Sequence, residues 1–532
     1  MKVAIIGAGA SGLTAIKCCL DEELEPTCYE RTDELGGLWN YKDEVRDGQA
    51  SVMKSTVINT SKEIMCYSDF PIPAEYPVFM HNKYVLRYFH LYAQEFRLTK
   101  YIQFNTEIIT LKKCRDFAST GKWLLNVKDK LTGECKELVY DAVLICTGHH
   151  ANTHKPSFPG QDRFKGKIIH SHDYKNSLSY EDKRVVIVGI GNSGGDAAVE
   201  LSRVASQVFL STRRGSWILN RVAEKGMPVD MCYISRFFNA LQTRFPGFIE
   251  TMAKKQLNNK VDLELYSLKP KHGPFAQHPT VNDDLPNRII CGSVKVKSNI
   301  EEITETGIKF DDGTFEDDID VLFLATGYTF GFPFLDKSVI EVENNKVELF
   351  KYMFPPDLEH HTLAVIGFIQ PLGAIMPISE LQCRLATRVF KGVTKLPSRS
   401  EMWSNIKGKA EAMSARYVHS PRHTIQVDYI PFLDELALLN GCKPNLVKLL
   451  LKDRALAMKC IFGPCTPYQF RLEGPGKWKG ARKAIMTQWD RTLAPLKTKP
   501  IEASKKNEML GFLWFYICFV GLFVLVLSWF KH

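Results

Sequence analysis

Residues 3–12 read VAIIGAGASG, and the fold at the start of the chain is predicted from this stretch. Four apolar residues predict a buried strand, and the G-x-G-x-x-G pattern predicts a tight turn that opens a helix from about Gly12 to Glu23. Residues 26–30 predict a second strand, with Glu30 at its end. An acid at this distance accepts hydrogen bonds from ribose hydroxyls, while N–H groups at the helix start bind a pyrophosphate. The dinucleotide-contacting residues predicted from this pattern are Gly7, Gly9, Ala10, Ser11, Gly12 and Glu30.

The same order of elements restarts in the middle of the chain. Residues 184–188 read RVVIV, residues 189–194 read GIGNSG, and residues 207–211 predict the next strand. The position of the ribose-binding acid is here taken by Thr212, Arg213 and Arg214. Hydroxyl and guanidinium groups bind a 2′-phosphate, which a carboxylate would repel, so this second site predicts NADPH. The other residues predicted to line it are Gly189, Gly191, Ser193, Gly194, Gly195 and Asp196.

A second pair of glycines follows the first βαβ unit. Residues 35–39 read LGGLW, and glycines there admit a close approach of the backbone to a large ring system. This favours FAD over a plain nicotinamide at the first site and adds Gly37, Leu38 and Trp39 to it. The alternative interpretation is a loop turn covered by a core tryptophan.

The predicted fold is α/β, with two doubly wound, Rossmann-like dinucleotide-binding domains. The NADPH-binding domain is inserted in the FAD-binding domain, because a strand-like run at 362–367 returns to the first pattern. The predicted divisions are residues 1–155 and 331–445 for the two parts of the FAD-binding domain, 156–330 for the NADPH-binding domain with a helical insertion at about 222–288, 446–508 for a C-terminal region and linker, and 509–530 for a transmembrane helix.

The C-terminal segment at 509–530 carries no charged residue. About 20 apolar residues span the hydrocarbon core of a bilayer, so the segment predicts a membrane anchor. Four lysines lie shortly before it and one follows it, which places the main body on the cytosolic side. The alternatives are a buried core helix or a helix lying in the membrane interface.

Charge and cysteine content exclude other classes. The net charge is +10, but the basic residues are scattered and no nucleic-acid motif occurs, so nucleic acid is not expected as a partner. The 14 cysteines include no CxxC pair and no zinc spacing, so no metal site is expected. A disulfide reductase needs a CxxxxC near the first βαβ unit, where Cys66 stands alone; Cys460 and Cys465 have that spacing at the wrong end of the chain.

The chain resembles the microsomal flavin-containing monooxygenases. Residues 164–174 match that family's FxGxxxHxxx(Y/F) signature, residues 323–328 match its FATGY segment with one exchange, and the apolar tail matches its membrane anchor. The likeness covers essentially the whole chain. Residues 269–288 are most similar to one subfamily, the fifth mammalian isoform.

The resemblance implies a membrane enzyme of the endoplasmic reticulum that uses FAD, NADPH and O₂. It implies oxygenation of soft nucleophiles of xenobiotics, an amine nitrogen or a sulfur, through a C4a-hydroperoxyflavin. It also implies that Asn59 is catalytic and that Asn59 and Thr60 contact the cofactors, although the sequence alone favours interpreting Asn59 as a turn asparagine.

Three alternatives stay open. The fifth-isoform likeness implies Baeyer–Villiger oxygenation of ketones to esters, accompanied by NADPH oxidase leakage, although the standard Baeyer–Villiger signature ends in Trp where this chain has Tyr174. A disulfide reductase and a non-enzymatic membrane scaffold are the other two. The expected partners are small amines, sulfides or ketones, O₂ and the lipid bilayer, and homo-oligomer formation is left open.

Overall fold

Two five-stranded parallel sheets form the framework of the protein. The computed structural model describes residues 1–46, 48–418, 420 and 424–499. From edge to edge, the strands of the first sheet are Leu363–Val365, Ala142–Ile145, Lys2–Ile6, Glu25–Tyr29 and Ile102–Gln103. Those of the second sheet are Val294–Lys297, Gln207–Ser211, Arg184–Val188, Val321–Leu324 and Lys167–His170.

The second sheet is nested in the first in chain order. Ala142–Ile145 and Leu363–Val365 are hydrogen-bonded neighbours in the first sheet, and every strand of the second sheet lies between them in sequence. Both sheets are parallel throughout, and parallel sheets need crossover connections that cover their faces. Accordingly, Val3, Ile5 and Val186 at the sheet centres are fully buried. The prediction of two Rossmann-type sheets in an α/β fold is confirmed.

The helix after the first glycine turn begins slightly earlier than the predicted start at about Gly12, and a helix follows the second glycine turn in the same way. The first nucleotide helix is Ala10–Asp21, and the second is Asn192–Leu201. Each begins directly after an extended glycine, Gly9 or Gly191, so the turn passes into the helix without a spacer. The first helix ends before Glu23, whose positive φ of 59° no α-helix accommodates.

Smaller elements surround the two sheets. Two antiparallel sheets have three strands each, Thr106–Lys113, Trp123–Asp129 and Cys135–Tyr140 in one and Ile300–Ile303, Ile308–Phe310 and Phe315–Glu316 in the other. Longer helices outside the predicted insertion are Asn82–Glu95, Met376–Phe390, Arg399–Arg416, Tyr429–Asn440, Leu446–Lys452, Arg454–Phe462 and Ala481–Leu493. Met376–Phe390 packs against the first nucleotide helix and is buried along most of its length.

The predicted helical insertion at 222–288 is helical in only part of its length. Helices cover Val229–Tyr233, Arg236–Arg244, Pro246–Lys260 and Leu285–Ile290. Between Lys260 and Leu285 every residue is described and none is helical; the stretch contains the short strand Thr280–Val281. Three prolines fall there, at 270, 274 and 279, and a proline lacks the N–H that a helix interior needs.

A buried network of charges fastens the C-terminal region to the first sheet's helices. Arg471 donates from Nη2 to Glu380 Oε1 at 2.6 Å and lies 2.8 Å from Asp69 Oδ2. Asp69 also forms an ion pair with Lys17, whose Nζ lies 2.6 Å from Oδ2. Ser68 donates its backbone N–H to Glu380 Oε2 at 2.6 Å. A buried charge that loses its partner is costly. The network therefore fixes where the C-terminal region sits.

In the part of the chain that the structure describes, no helix has the length and apolar character needed to cross a bilayer. The predicted anchor at 509–530 lies outside the described residues.

Candidate functional site

The first glycine turn is shaped so that only glycine fits at its key positions. Gly7 has φ of +99°, which L side chains rarely adopt. A Cβ on Gly12 would stand 1.8 Å from the carbonyl oxygen of Gly7, because helix and strand meet there. The first turn of the helix carries no acidic side chain, and its N-cap, Gly9, has no side chain to accept the exposed N–H groups. These N–H groups can therefore bind a pyrophosphate.

The loop at 35–39 packs directly on this turn. Gly36 donates its N–H to Ala8 O at 3.0 Å. A Cβ on Gly37 would lie 3.1 Å from Gly9 Cα, so two backbones meet here at glycine distance. The short helix Gly37–Trp39 follows, with Leu38 and Trp39 half-buried.

Glu30 stands beside the same turn. Its Oε2 accepts the N–H of Ala8 at 2.8 Å, and its Oε1 accepts the N–H and the hydroxyl of Thr32 at 2.9 and 2.8 Å. A carboxylate offers about four acceptor positions, so one is left for a ribose hydroxyl. The donor and acceptor set at this turn fits the adenosine half of FAD. Of the other predicted residues, Ala10 accepts Tyr67 Oη at its carbonyl and Ser11 Oγ lies against Ser379 Oγ.

The second turn repeats this geometry. Gly189 has φ of +104°, and a Cβ on Gly194 would stand 1.9 Å from Gly189 O. Among the described residues, no atom lies within 4 Å of the Cβ position of Gly191, and Ser193 is exposed, so this part of the structure leaves the mouth of the turn open to a ligand. A Cβ on Gly195 would meet Thr280, because the second nucleotide helix packs on the strand Thr280–Val281.

Thr212, Arg213 and Arg214 follow the strand Gln207–Ser211, which neighbours the strand before the second turn. Thr212 Oγ accepts the N–H of Gly215 at 3.1 Å, which shapes the loop and leaves the hydroxyl proton free to donate. Both arginines are exposed. A phosphate group on a ribose at this strand end would meet two guanidinium groups, and the second turn therefore fits NADPH.

Asn59 lies where the N-terminal part of the chain contacts the part that contains the second sheet. Its Oδ1 accepts Arg221 Nη2 at 2.7 Å, and Arg221 in turn binds Asp283 at 2.8 Å. On its other side, the Asn59 loop is held by the N–H of Ile58, which donates to Met80 O at 2.9 Å. Thr60, the next residue along, is half-buried in the same loop.

Arg221 and Asp230 are functional candidates that the sequence did not reveal. Asp230 is buried, and its Oδ2 accepts the N–H of Ser61 at 2.6 Å. Burial raises the pKa of Asp230 to about 6. Both residues lie in a stretch without periodicity or motif, so no local signal could have identified them.

The signature segment at 164–174 acts through buried hydrogen bonds. His170 Nδ1 accepts the N–H of His172 at 3.1 Å, so its Nε2 carries the proton that is donated to Gly327 O at 3.1 Å. Burial lowers the pKa of His170 to about 4, so the ring is neutral. Tyr174 is buried against Phe323. These contacts join the signature to the 323–328 segment and are structural.

Replacing Asp196 by asparagine is expected to raise the melting temperature at pH 7.5. Burial raises the pKa of Asp196 to about 6, while Asn282 Nδ2 donates to Oδ1 at 2.9 Å, a bond that asparagine keeps. A carboxyl whose folded pKa is raised destabilises the fold progressively as pH rises from about 4 to about 6. We expect a gain of about 2 °C that falls to about half at pH 5.

Thermal denaturation of the FAD-loaded enzyme without NADPH measures this. The change of Asp162 to asparagine controls for the loss of one negative charge, because Asp162 is exposed and lies in the same predicted domain, residues 156–330. A lower melting temperature for Asp196→Asn at pH 7.5 would contradict the assignment of burial as the cause.

The family model of the flavin-binding monooxygenase-like proteins matches residues 1–531. The chain is 56% identical over 512 residues to flavin-containing monooxygenase 5 of Rattus norvegicus, covering 96% of each chain. It is 52% identical over 532 residues to flavin-containing monooxygenase 5 of Homo sapiens, with 99% of each chain covered. It is 50% identical over 530 residues to dimethylaniline monooxygenase [N-oxide-forming] 2 of Cavia porcellus, covering 99% and 98%.

Solved structures show the same fold at low sequence identity. The S-allyl-L-cysteine S-oxygenase of Allium sativum has a TM-score of 0.64 at 24% identity and is covered over 98% of its chain and 93% of this one. A steroid monooxygenase bound to NADP has a TM-score of 0.62 at 16% identity, with 97% of its chain and 83% of this one covered. The predictions of an FAD- and NADPH-dependent monooxygenase related to the fifth mammalian isoform are confirmed by the relatives. The chain is a member of the flavin-binding monooxygenase family.

Proposed function

We propose that this enzyme oxygenates soft nucleophiles, amine nitrogen or sulfur atoms of small xenobiotics. The observation that carries the proposal is the pair of unequal glycine turns, one with Glu30 beside it and one with Arg213 and Arg214. The chain is also 56% identical to a flavin-containing monooxygenase 5 and 50% identical to an N-oxide-forming dimethylaniline monooxygenase. One turn suits the flavin, and the other suits the nucleotide that reduces it.

We assign the cofactors residue by residue. The residues proposed to hold FAD are Gly7, Gly9, Ala10, Ser11, Gly12, Glu30, Gly37, Leu38 and Trp39. Those proposed to hold NADPH are Gly189, Gly191, Ser193, Gly194, Gly195, Asp196, Thr212, Arg213 and Arg214. Asn59 and Thr60 lie between the two sets. The proposed domains follow the nested sheets, with residues 156–330 as the NADPH half.

When bound, FAD supplies the chemistry: it takes electrons from NADPH and passes one oxygen atom of O₂ to the substrate. The protein orients the two cofactors and keeps water from the reacting atoms. Asn59 contributes an uncharged amide, which can donate and accept hydrogen bonds without quenching a reactive oxygen by proton transfer. His170 is neutral and bonded at both ring nitrogens, so it is not proposed as an acid or base.

Baeyer–Villiger oxygenation of ketones is the second candidate. The relatives named flavin-containing monooxygenase 5 are 52–56% identical, against 50% for the N-oxide-forming relatives, which favours the branch for which such activity is expected. Oxygen insertion beside a carbonyl would give an ester from a methyl ketone.

Product analysis with one thioether and one methyl ketone separates the two functions. Each is incubated with the full-length enzyme, NADPH and O₂, and sulfoxide, ester and hydrogen peroxide are quantified per NADPH consumed. We expect sulfoxide as the main product. Abundant ester without sulfoxide would establish the second candidate instead, and peroxide alone would show an NADPH oxidase.

We further propose that the segment at 509–530 anchors the enzyme in the membrane of the endoplasmic reticulum, with its main body in the cytosol. The support is its length without charge and the lysines that precede it. Alkaline carbonate extraction of microsomes should leave the full-length chain in the membrane pellet. Its release into the supernatant would contradict an integral anchor.

A further inference from the structure

A closed loop of the NADPH half, residues 221–230, faces the Asn59 loop. The N–H of Val229 donates to Arg221 O at 2.8 Å, and the N–H of Ala223 donates to Met227 O at 2.7 Å. These bonds bring the two ends of the loop together. We call it the 221–230 loop; Arg221 stands at one of its ends and Asp230 at the other.

Arg221 is held in a fixed direction. Asp283 accepts the backbone N–H of Arg221 at 2.9 Å with one carboxylate oxygen and Nη1 at 2.8 Å with the other. The side chain is only 13% exposed, and its Nε has no hydrogen-bond partner among the described residues. A planar guanidinium anchored in this way presents Nη2 to Asn59 at 2.7 Å.

The contact determines which way the Asn59 amide points. A guanidinium can only donate, so it must face the carbonyl oxygen Oδ1 and not the NH₂ group. The Nδ2 group is thereby turned away from Arg221 and is presented as a donor on the other side of the amide. Without Arg221, the amide could rotate by half a turn and present an acceptor there.

Asp230 binds the Asn59 loop at Ser61, two residues after Asn59. Its Oδ2 accepts the N–H of Ser61 at 2.6 Å, and its Oδ1 accepts the N–H of Met231 at 2.8 Å. Residues 59–61 are therefore held from one side by the 221–230 loop and from the other by residues 78–80, through the N–H groups of Ile58 and Lys62. The first side belongs to the NADPH half and the second to the FAD half.

We propose that Arg221 is the positioning residue for Asn59, and that it makes the orientation of this amide depend on the docking of the NADPH half. The inference rests on the proposed function, which places Asn59 at the flavin. It deepens that function, because the donor that faces the reacting oxygen is then set in place only when the two halves of the enzyme are together.

The test compares Arg221→Met with Asn59→Ala and with the double variant. If Arg221 acts through Asn59, Arg221→Met lowers the product formed per NADPH by about tenfold, the value of one charge-assisted hydrogen bond, with a matching rise in hydrogen peroxide. The double variant is then no worse than Asn59→Ala alone. Arg203→Met, at an exposed arginine paired with Asp284 in the same half, is the control.

Hydrogen–deuterium exchange of the peptide covering residues 53–61, in the enzyme loaded with FAD and NADP⁺, is the second readout. We expect faster exchange in Arg221→Met than in the wild type and in Arg203→Met, with unchanged FAD content. A rise of tenfold or more in the KM for NADPH with product yield retained would overturn the proposal, because Arg221 would then be a nucleotide ligand.

Effects of the two single variants that multiply in the double variant would likewise overturn it, as would unchanged exchange. The proposed function and the positioning contact can fail separately. If the wild-type enzyme oxygenates no substrate, yet exchange of the 53–61 peptide is faster in Arg221→Met, the proposed function is refuted while the contact between Arg221 and Asn59 is supported.

Discussion

Replacing Gly12 by alanine is expected to give a nearly colourless protein that loses its FAD during purification. The added Cβ would lie 1.8 Å from Gly7 O and 2.9 Å from Gly7 C, and both are backbone atoms that cannot move aside without opening the turn. Overpacking costs about 3 kcal/mol at the upper end of its usual range, and an equal loss of binding free energy lowers the affinity for FAD by about a hundredfold.

The matched variant is Gly194→Ala, whose Cβ would lie 1.9 Å from Gly189 O in the second turn. It should stay yellow and lose NADPH oxidation, because only the second nucleotide loses its site. Gly408→Ala controls for the substitution itself, since Gly408 lies in the helix Arg399–Arg416 and no atom of the described residues comes within 4 Å of its Cβ position. The flavin-to-protein absorbance ratio and the rate of NADPH oxidation are measured. A Gly12→Ala enzyme with full flavin content would contradict the assignment of the first turn.

Removing both guanidinium groups, in the double variant Arg213→Ser with Arg214→Ser, is expected to raise the KM for NADPH by about a hundredfold. Each charge-assisted contact with a phosphate contributes about 1.5 kcal/mol, and two together give about two orders of magnitude. The kcat with either nucleotide and the KM for NADH should change little, because NADH has no 2′-phosphate on its adenosine ribose. The preference for NADPH over NADH would largely disappear.

Steady-state kinetics with both nucleotides, at constant ionic strength, measures this change. Arg203→Ser removes a comparably exposed arginine of the same half and should leave both KM values unchanged. Equal losses with NADPH and NADH would show that the arginines support the fold of the loop, and the assignment of the 2′-phosphate site would be wrong.

Local patterns were sufficient to predict the centres of both sheets. A run such as residues 3–6 followed by a glycine turn has few other structural solutions, and the strand at 184–188 repeats it. The return of the chain to the first sheet was predicted from an apolar run at 362–367, of which Leu363–Val365 forms the strand. The predictions of the helix ends and of the stretch between Lys260 and Leu285 were less accurate, because prolines and tertiary packing determine the structure there.

The candidate site was predictable only where its residues are neighbours in sequence. The glycine turns, Glu30 and the arginine pair follow from spacing, whereas Asn59 required the resemblance to a family. Arg221 contacts Asn59 across 162 positions of the chain, and nothing in its own segment marks it. Such a contact depends on how the two halves dock, which a periodic pattern does not encode.

Oxygenation of a thioether under ¹⁸O₂ shows whether the enzyme transfers an oxygen atom from O₂ to its substrate. The full-length enzyme is mixed with NADPH, a dialkyl or aryl thioether and ¹⁸O₂, and the product is analysed by mass spectrometry. We expect a sulfoxide carrying one ¹⁸O atom, while the second oxygen atom leaves as water and NADPH becomes NADP⁺. NADPH oxidation without any labelled sulfoxide or ester would contradict it, because the two nucleotide sites would then serve an oxidase or a reductase.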